Sequence, residues 1–474
     1  MGFGRRIGDT LRLPDRGTRR AVAVLVALAV GGAAGGVVAL TGPTVVQRLG
    51  LVAPAPAPLP PVPHATLGPL PTGAPIPTSA GLSAALDKAA ADMPGRFAGV
   101  VIDPATGTEL WGHTPERPLV PASTGKLLTA AAALLTLDPT ERLETHVVAG
   151  RDPGTVVLVG GGDPTLTALP DSEASLYPDA PRIGELADDV RKNAPGPISR
   201  VLVDTSRYTA DGLAPGWGAG DIAGGFITPI EPVMLDGGRI DPTLPDGPRV
   251  EDPALAAGRA LADALGADTV EKGTAEPGAA GLGAVSSAPV NELAEHALRS
   301  SDNVLAEVLA REVAVARGAE PSFAGAAEAT LAALRQAGFD PSGAELVDGS
   351  GLSTRNQVPA RLLGEVLAAA AAPAKGPRDT QFLRPILSGL PVAGGEGTLD
   401  DRYAVDGRAA AGRGVVRAKT GSLTGVSSLA GVVTDSDGRL LVFALMSNGA
   451  SPGTVRPLHD AMAAELSRCG CRES

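Results

Sequence analysis

The strongest constraint on this chain is the apolar run over residues 21–40, AVAVLVALAVGGAAGGVVAL, which contains no charged side chain. A helix of that length matches the ~30 Å hydrocarbon core of a bilayer. Arg5, Arg6, Arg12, Arg16, Arg19 and Arg20 precede it and the first basic residue after it is Arg48. That asymmetry places the N-terminal side in the cytoplasm and everything after residue 41 on the extracytoplasmic side. The rival reading is a cleaved signal and a secreted protein, but signals have shorter apolar regions, and Ala53-Pro54-Ala55, crowded by prolines, is a poor cleavage site. The expected order is a basic cytoplasmic segment (1–20), a transmembrane helix or signal anchor (21–41) and a linker (42–79). Over 52–78 proline recurs at nearly every third position with almost no charge, which makes a stiff, extended spacer.

The body beyond the linker is acidic. The whole chain carries a formal charge of −12 even with its arginine-rich start. A nucleic-acid partner, which needs a basic surface to displace counterions, is therefore not expected. Aromatics make up only 3% of the chain, so the core must be built from Val, Leu and Ala. The two cysteines, Cys469 and Cys471, lie in the C-terminal tail (469–474) and form neither a disulfide framework nor a four-ligand metal site. A bridge between them closes a very short loop, and free or intermolecular states remain equally open. The five histidines, His64, His113, His146, His296 and His459, show no paired ligand spacing. No metal or other cofactor is implied, and neither a zinc peptidase nor a Ser/His/Asp triad has support.

Periodicity predicts a helix over 82–93, a hairpin with arms 97–103 and 108–112, and a helix running from about 123 to 137. Between 145 and 287 the character changes to short strands such as 155–159 and 201–204, Gly/Pro-rich turns and one helical piece at 183–192. That stretch reads as an inserted domain. Its glycine-rich 160–164 and 218–220 are tight turns rather than phosphate loops. Helical patterns return over 292–316, 323–337 and 359–372. Strands follow at 415–423, 427–434 and 440–447, with a terminal helix over 454–467. Early and late strands can join in one antiparallel sheet with helices on its faces, giving an α/β core over 80–144 and 288–468 that the insert interrupts.

Three short motifs carry the chemistry. Ser123-Thr124-Gly125-Lys126, read as the first turn of a helix, puts a hydroxyl and an amine on one face and within reach of each other. Ser301-Asp302-Asn303 and Lys419-Thr420-Gly421 follow in the order used by serine acyl-transferases of the penicillin-recognising type. Alone, each motif is more simply a cap or a strand end; their order on helix, helix and strand is what points to a site. In an acyl-enzyme mechanism Ser123 is the nucleophile. Lys126 is the base, its pKa lowered by burial beside another cation, for which Lys419 is the candidate. Ser301 and Lys126 relay the proton to the leaving group. The Asn303 amide binds a peptide C=O and N–H together. Lys419 and Thr420 meet a terminal carboxylate, Gly421 lets the substrate backbone approach, and the N–H groups of Ser123 and Ser422 form the oxyanion hole.

With PASTGKLLT, GGGDPTL (160–166), SSDNVLAE (300–307), VDGSGLS (347–353), GGEGTLDDRY (394–403) and VRAKTGSLTGVSSLAGVV (416–433), the chain resembles the D-alanyl-D-alanine carboxypeptidase/endopeptidase family, the class C low-molecular-mass penicillin-binding proteins. The resemblance covers roughly residues 80–467. It implies a transpeptidase/β-lactamase-like core with inserted material, and a substrate at the D-Ala-D-Ala end, or a cross-link, of peptidoglycan stem peptides. It also implies β-lactams as inhibitors and the three motifs as site residues. The segment 227–238 matches the family only loosely, and a membrane anchor is not general in it. A class A β-lactamase shares the three motifs but needs a Glu-x-x-Leu-Asn glutamate for deacylation, which is absent between Asn303 and Lys419. A non-catalytic, membrane-tethered wall-binding or scaffolding protein is the remaining alternative.

Overall fold

The computed structural model describes residues 73–209, 212–373 and 380–471. The apolar run over 21–40, and the spacer up to residue 72, lie outside the described residues. Among those described, no helix is long and apolar enough to cross a membrane.

The described chain opens with α1 (Ser79–Ala91), where the Thr78 side chain accepts from the Gly81 N–H and so satisfies one of the four orphan donors of a helix start. It is followed by the hairpin β1 (Arg96–Asp103) and β2 (Thr108–His113) and by α2 (Lys126–Thr136). The middle of the chain supplies β3 (Arg142–Ala149), β4 (Thr155–Val159), α3 (Ile183–Asn193), β5 (Arg200–Asp204), α4 (Pro253–Leu265), β6 (Thr269–Lys272) and β7 (Gly281–Pro289). Helices α5 (Val290–Arg299), α6 (Asn303–Ala316), α7 (Phe323–Gln336) and α8 (Ala360–Ala371) come next. Strands β8 (Arg417–Leu423), β9 (Val426–Thr434) and β10 (Leu440–Asn448) then lead to α9 (Pro452–Arg468).

The first sheet has the order β8-β9-β10-β1-β2 and is antiparallel throughout, so the last strand pairs with the first, Val100 opposite Ala444. Side chains alternate across it. Val100, Ile102, Ala430, Val432, Ala444 and Met446 join the core built with α2, α5, α6 and α8, while Phe97, Val101, Leu429, Val433, Phe443 and Leu445 pack beneath α1 and α9. Both faces are covered, which is why β9 and β10 read as continuous apolar runs. Helix α6 lies deep, with Val304, Leu305, Val308 and Leu309 at most 1% exposed. Truncating any one of these leucines to alanine costs about 2–5 kcal/mol.

The second sheet, β7-β3-β4-β5-β6, is mixed, with β4, β5 and β6 mutually parallel. It has its own core, in which Val147, Val156, Leu158, Val201 and Val203 meet Leu186 and Val190 of α3 and Ala257 and Leu261 of α4. Helix α4 is an addition to the one helix expected here, and it buries Ala254, Ala257, Gly258, Leu261 and Ala262. Both sheets belong to one compact unit, Leu70–Ser474.

Two local expectations change. The helical pattern over 292–316 is broken between α5 and α6. Ser301 takes a left-handed φ of +60°, and the Asp302 side chain caps α6 by accepting from the Leu305 N–H at 2.9 Å. Cys469 and Cys471 are joined to each other in a disulfide. The Cys471 carbonyl accepts from the Thr78 N–H (2.9 Å) and hydroxyl (3.0 Å), which ties the end of the described chain to the start of α1.

Candidate active site

The serine motif begins as a 3-10 turn, Ala122–Gly125, before α2 takes over at Lys126. Ala122 holds a φ of +49°, a left-handed conformation that disfavours a residue with a Cβ. Its surroundings impose it. Gly351, itself at φ +79°, lies so close that a Cβ there would run into the Ala122 carbonyl. The Thr124 hydroxyl donates to the Pro121 carbonyl (2.7 Å), as does Ser428 of β9, and Asn448 of β10 pairs with both the N–H (2.8 Å) and the carbonyl (3.2 Å) of Val120. The turn is thereby locked to the sheet. Its product is the expected pair, with Lys126 Nζ 3.1 Å from Ser123 Oγ.

Lys126 is 1% exposed. Its ammonium also donates to Asn303 Oδ1 at 2.6 Å and the Ser350 carbonyl at 2.7 Å, so three donors meet three acceptors. Burial pushes its pKa down to about 8 against the pull of Asp348, Glu307 and Asp302. The lowering therefore comes from desolvation rather than from the second amine. Repulsion between the amines is felt at Lys419, which burial and then the Lys126 charge hold well below the ordinary lysine range.

The other motifs meet this pair. Lys419 is 0% exposed and donates to Ser301 Oγ (2.9 Å) and the Thr420 carbonyl (3.0 Å). Its amine thereby reaches a hydroxyl that lines the cleft. Ser301 is thus partnered by Lys419 and not by Lys126. Both ends of the Asn303 amide are engaged by the chain, Oδ1 by Lys126 and Nδ2 by the Phe226 carbonyl (2.9 Å). Gly421 serves packing. A Cβ there would meet Ser428 Oγ, the Pro121 carbonyl (2.7 Å) and the Ser123 nitrogen (3.0 Å), so only glycine lets β8 lie against the serine turn. Thr420 and Ser422, on the opposite face of β8, line the cleft with Ser123 and Ser301. The cleft encloses about 940 Å³ between Phe226 and Asp246 on one side and residues 401–409 with the start of α9 on the other.

Two supports were not legible as such. Residues 348–353 are folded around buried carboxylates. Glu307 accepts from the N–H groups of Gly349 (2.9 Å) and Ser350 (2.6 Å), and Asp348 accepts from those of Gly351 (2.9 Å) and Ser353 (2.6 Å) and from the Trp217 indole (2.8 Å). Burial, and then Asp348, push Glu307 up to about 8. The loop's product is the Ser350 carbonyl on Lys126, a role that VDGSGLS carries without any titratable group at the contact. Asp302, the middle residue of the second motif, is gripped from the 145–287 stretch: Arg239 Nη2 lies 3.0 Å and the Tyr177 hydroxyl 2.9 Å from Oδ2. Burial alone would raise the Asp302 pKa. The charges of Arg239 and Arg249, with the Leu305 N–H, outweigh it and leave the carboxyl well below its usual range.

A serine and two buried lysines at the edge of a five-stranded antiparallel sheet, with helices on both faces, define an α/β peptidase core of the penicillin-binding type. The fold is similar to the crystal structure of penicillin binding protein 4 from Haemophilus influenzae, with a TM-score of 0.65 and 20% identity over 83% of this chain and 100% of that one. A structure of that protein complexed with a β-lactam matches with a TM-score of 0.58 and 20% identity over 80% of this chain and 98% of the other. The model of the D-Ala-D-Ala carboxypeptidase 3 (S13) family matches residues 82–248 and 242–469, and the chain belongs to that family. It is 47% identical over 430 residues to a carboxypeptidase of Mycobacterium tuberculosis, covering 90% of this chain and 92% of the relative. To carboxypeptidase DacB of Mycolicibacterium smegmatis it is 48% identical over 422 residues, 88% of this chain and 90% of that one. The protein is an enzyme of the peptidase class.

Proposed function

We propose that the protein is a serine-type D-alanyl-D-alanine carboxypeptidase/endopeptidase that acts on peptidoglycan stem peptides through a Ser123 acyl-enzyme and is inhibited by β-lactams. The observation that carries this is the Ser123–Lys126 contact at 3.1 Å, made by an amine that burial has brought to about 8. In its neutral form Lys126 takes the Ser123 proton as Oγ bonds to the carbonyl carbon of the scissile D-Ala-D-Ala amide. The N–H groups of Ser123 and Ser422 receive the negative oxygen. The tetrahedral adduct collapses by breaking the C–N bond, and the leaving nitrogen takes the proton that Lys126 had accepted, passed on through Ser301, whose hydroxyl is hydrogen-bonded to Lys419, so that Lys126 is neutral again. Water then attacks the ester, giving back its proton through Lys126 and freeing Ser123. A β-lactam acylates the same oxygen, and with no glutamate of the class A type the adduct turns over slowly.

The test is incubation of the full chain with a stem pentapeptide and with cross-linked muropeptides, products being read by mass spectrometry, beside labelling with fluorescent penicillin. Release of D-alanine and a persistent label on wild type, both absent from Ser123→Ala, is the expected result. A label equal on both proteins, or no product from wild type, would refute it and favour a non-catalytic wall-binding role. Split cross-links mark the endopeptidase activity.

The run over 21–40 is proposed to anchor the chain by a single span, with the catalytic body outside the cytoplasm. Full-length protein should sediment with membranes and resist alkaline washing; recovery in the soluble fraction would refute the anchor.

A further inference from the structure

To act as a base Lys126 must be neutral, and a neutral amine has two N–H donors and one lone pair. Three oxygens meet its Nζ: Ser123 Oγ at 3.1 Å, Asn303 Oδ1 at 2.6 Å and the Ser350 carbonyl at 2.7 Å. A carbonyl oxygen only accepts. The Asn303 amide is held with Oδ1 towards the lysine because its Nδ2 donates to the Phe226 carbonyl, which also only accepts. The two N–H groups are therefore claimed by Asn303 and Ser350, and the lone pair is left facing the Ser123 hydroxyl. The aim of the base depends on how firmly these two acceptors are held, and one turn of α6 serves both. Asn303 and Glu307 are four residues apart on that helix and share a face. Glu307, 1% exposed, accepts from the N–H groups of Gly349 at 2.9 Å and Ser350 at 2.6 Å. From the other side Thr129 of α2, one turn beyond Lys126, donates its hydroxyl to the Gly349 carbonyl at 2.6 Å. The peptide between Gly349 and Ser350 is thus gripped through both its N–H and its carbonyl.

We propose that Glu307 is a positioning residue for the general base: by pinning the Gly349–Ser350 peptide it keeps the Ser350 carbonyl on Lys126, and so keeps the lone pair of the amine on Ser123. Glu307 acts through that peptide, as its hydrogen bonds go to Gly349 and Ser350. Once the peptide is loose, the neutral amine can turn an N–H towards Ser123 Oγ, an orientation in which it cannot take the proton. This role is separate from holding α6 in place. Glu312, five residues further along the same helix and 4% exposed, is spent instead on Arg207 (2.8 Å) and the Tyr208 hydroxyl (2.6 Å) of the 145–287 stretch. The assignment rests on the acyl-enzyme reading, in which Lys126 is the base, and deepens it.

The test measures D-alanine release from diacetyl-L-Lys-D-Ala-D-Ala by full-length wild type, E307Q, E307D, T129V and E312Q. Competent enzyme in each preparation is counted by the fluorescent penicillin it binds at saturation. Misplacing a reacting group by about 1 Å costs about 10²-fold. E307Q, in which an NH2 group replaces one accepting oxygen, should therefore lose about 10- to 100-fold in kcat per labelled site, with KM within about twofold of wild type. Its rate of penicillin acylation should fall in the same proportion. T129V, which removes one neutral hydrogen bond to the same peptide, should lose about 3- to 10-fold in kcat. E307D, which keeps the carboxylate on a shorter arm, should fall between wild type and E307Q. E312Q should be less stable than wild type but keep its kcat per labelled site. A wild-type kcat in E307Q, a loss carried by KM, or an equal loss of kcat in E312Q would overturn the inference while leaving the carboxypeptidase reading intact. If E307Q does not fold and binds no penicillin, E307D and T129V decide by the same criteria. A wild type that releases no D-alanine would overturn both.

Discussion

Replacing Arg239 by methionine removes the main counter-charge of Asp302. The side chains of Arg239 and Asp302 are 6% and 1% exposed, so neither charge can turn to water when its partner goes. Breaking one side of a buried pair costs about 3–5 kcal/mol. The Tyr177 hydroxyl and Leu305 N–H still donate to Asp302, so the lower end, about 3 kcal/mol, is expected. The pH dependence has a definite sign. The folded Asp302 pKa is depressed, so its contribution is present above the unfolded value and is lost as pH falls towards the folded one. In R239M the loss of the largest counter-charge leaves that pKa higher than in wild type, so protonation relieves the variant first. The stability gap between wild type and R239M should therefore be widest near neutral pH and narrow on acidification. Urea unfolding of wild type, R239M, D302N and the double variant at two pH values reads this directly, with an expected coupling of about 1–3 kcal/mol. Because Ser301 and Asn303 flank Asp302, R239M should also lower kcat for D-alanine release more than it raises KM. Additive single variants, or a gap that does not change with pH, would refute the reasoning.

Three further outcomes follow from the same geometry. Burial holds Lys126 at about 8, so kcat/KM for D-alanine release should rise with pH along a limb near that value, and Lys126→Arg, which cannot give up its proton, should cost about 10²- to 10⁴-fold; a limb below pH 6 would exclude Lys126 as the base. Gly421→Ala should lower stability by about 1–3 kcal/mol and slow penicillin acylation, because the new methyl meets the serine turn; wild-type behaviour in both assays would assign the glycine no packing role. His459 is buried on Ser447, and burial, then the Arg402 charge, bring its pKa down to about 3. Stability should fall once the unfolded chain takes up a proton that the folded one refuses, at about 1.4 kcal/mol per pH unit below ~6.5. Denaturation curves of His459→Gln over that range should be flatter, and an unchanged slope would locate the acid sensitivity elsewhere.

Local pattern was enough to recover much of this protein. The Ser123 and Lys126 pairing follows from a three-residue spacing at a helix start, and the strands of the first sheet follow from apolar runs bounded by turns. The internal partners of the motif residues were not legible: Lys419 lies on Ser301, and Asn303 between Lys126 and Phe226. Sequence also placed no weight on Tyr177, Arg239 or Trp217. All three lie in the 145–287 stretch, and what brings them to Asp302 and Asp348 is packing between segments far apart in the chain.

The sequence by itself determined the chemistry on offer, a serine three residues before a lysine and two later motifs in a fixed order, because such spacings act through the backbone period alone. Tertiary structure decided which groups keep access to solvent and which are spent on one another. Desolvation and hydrogen-bond partnership depend on atoms contributed by distant segments, and no local spacing encodes them.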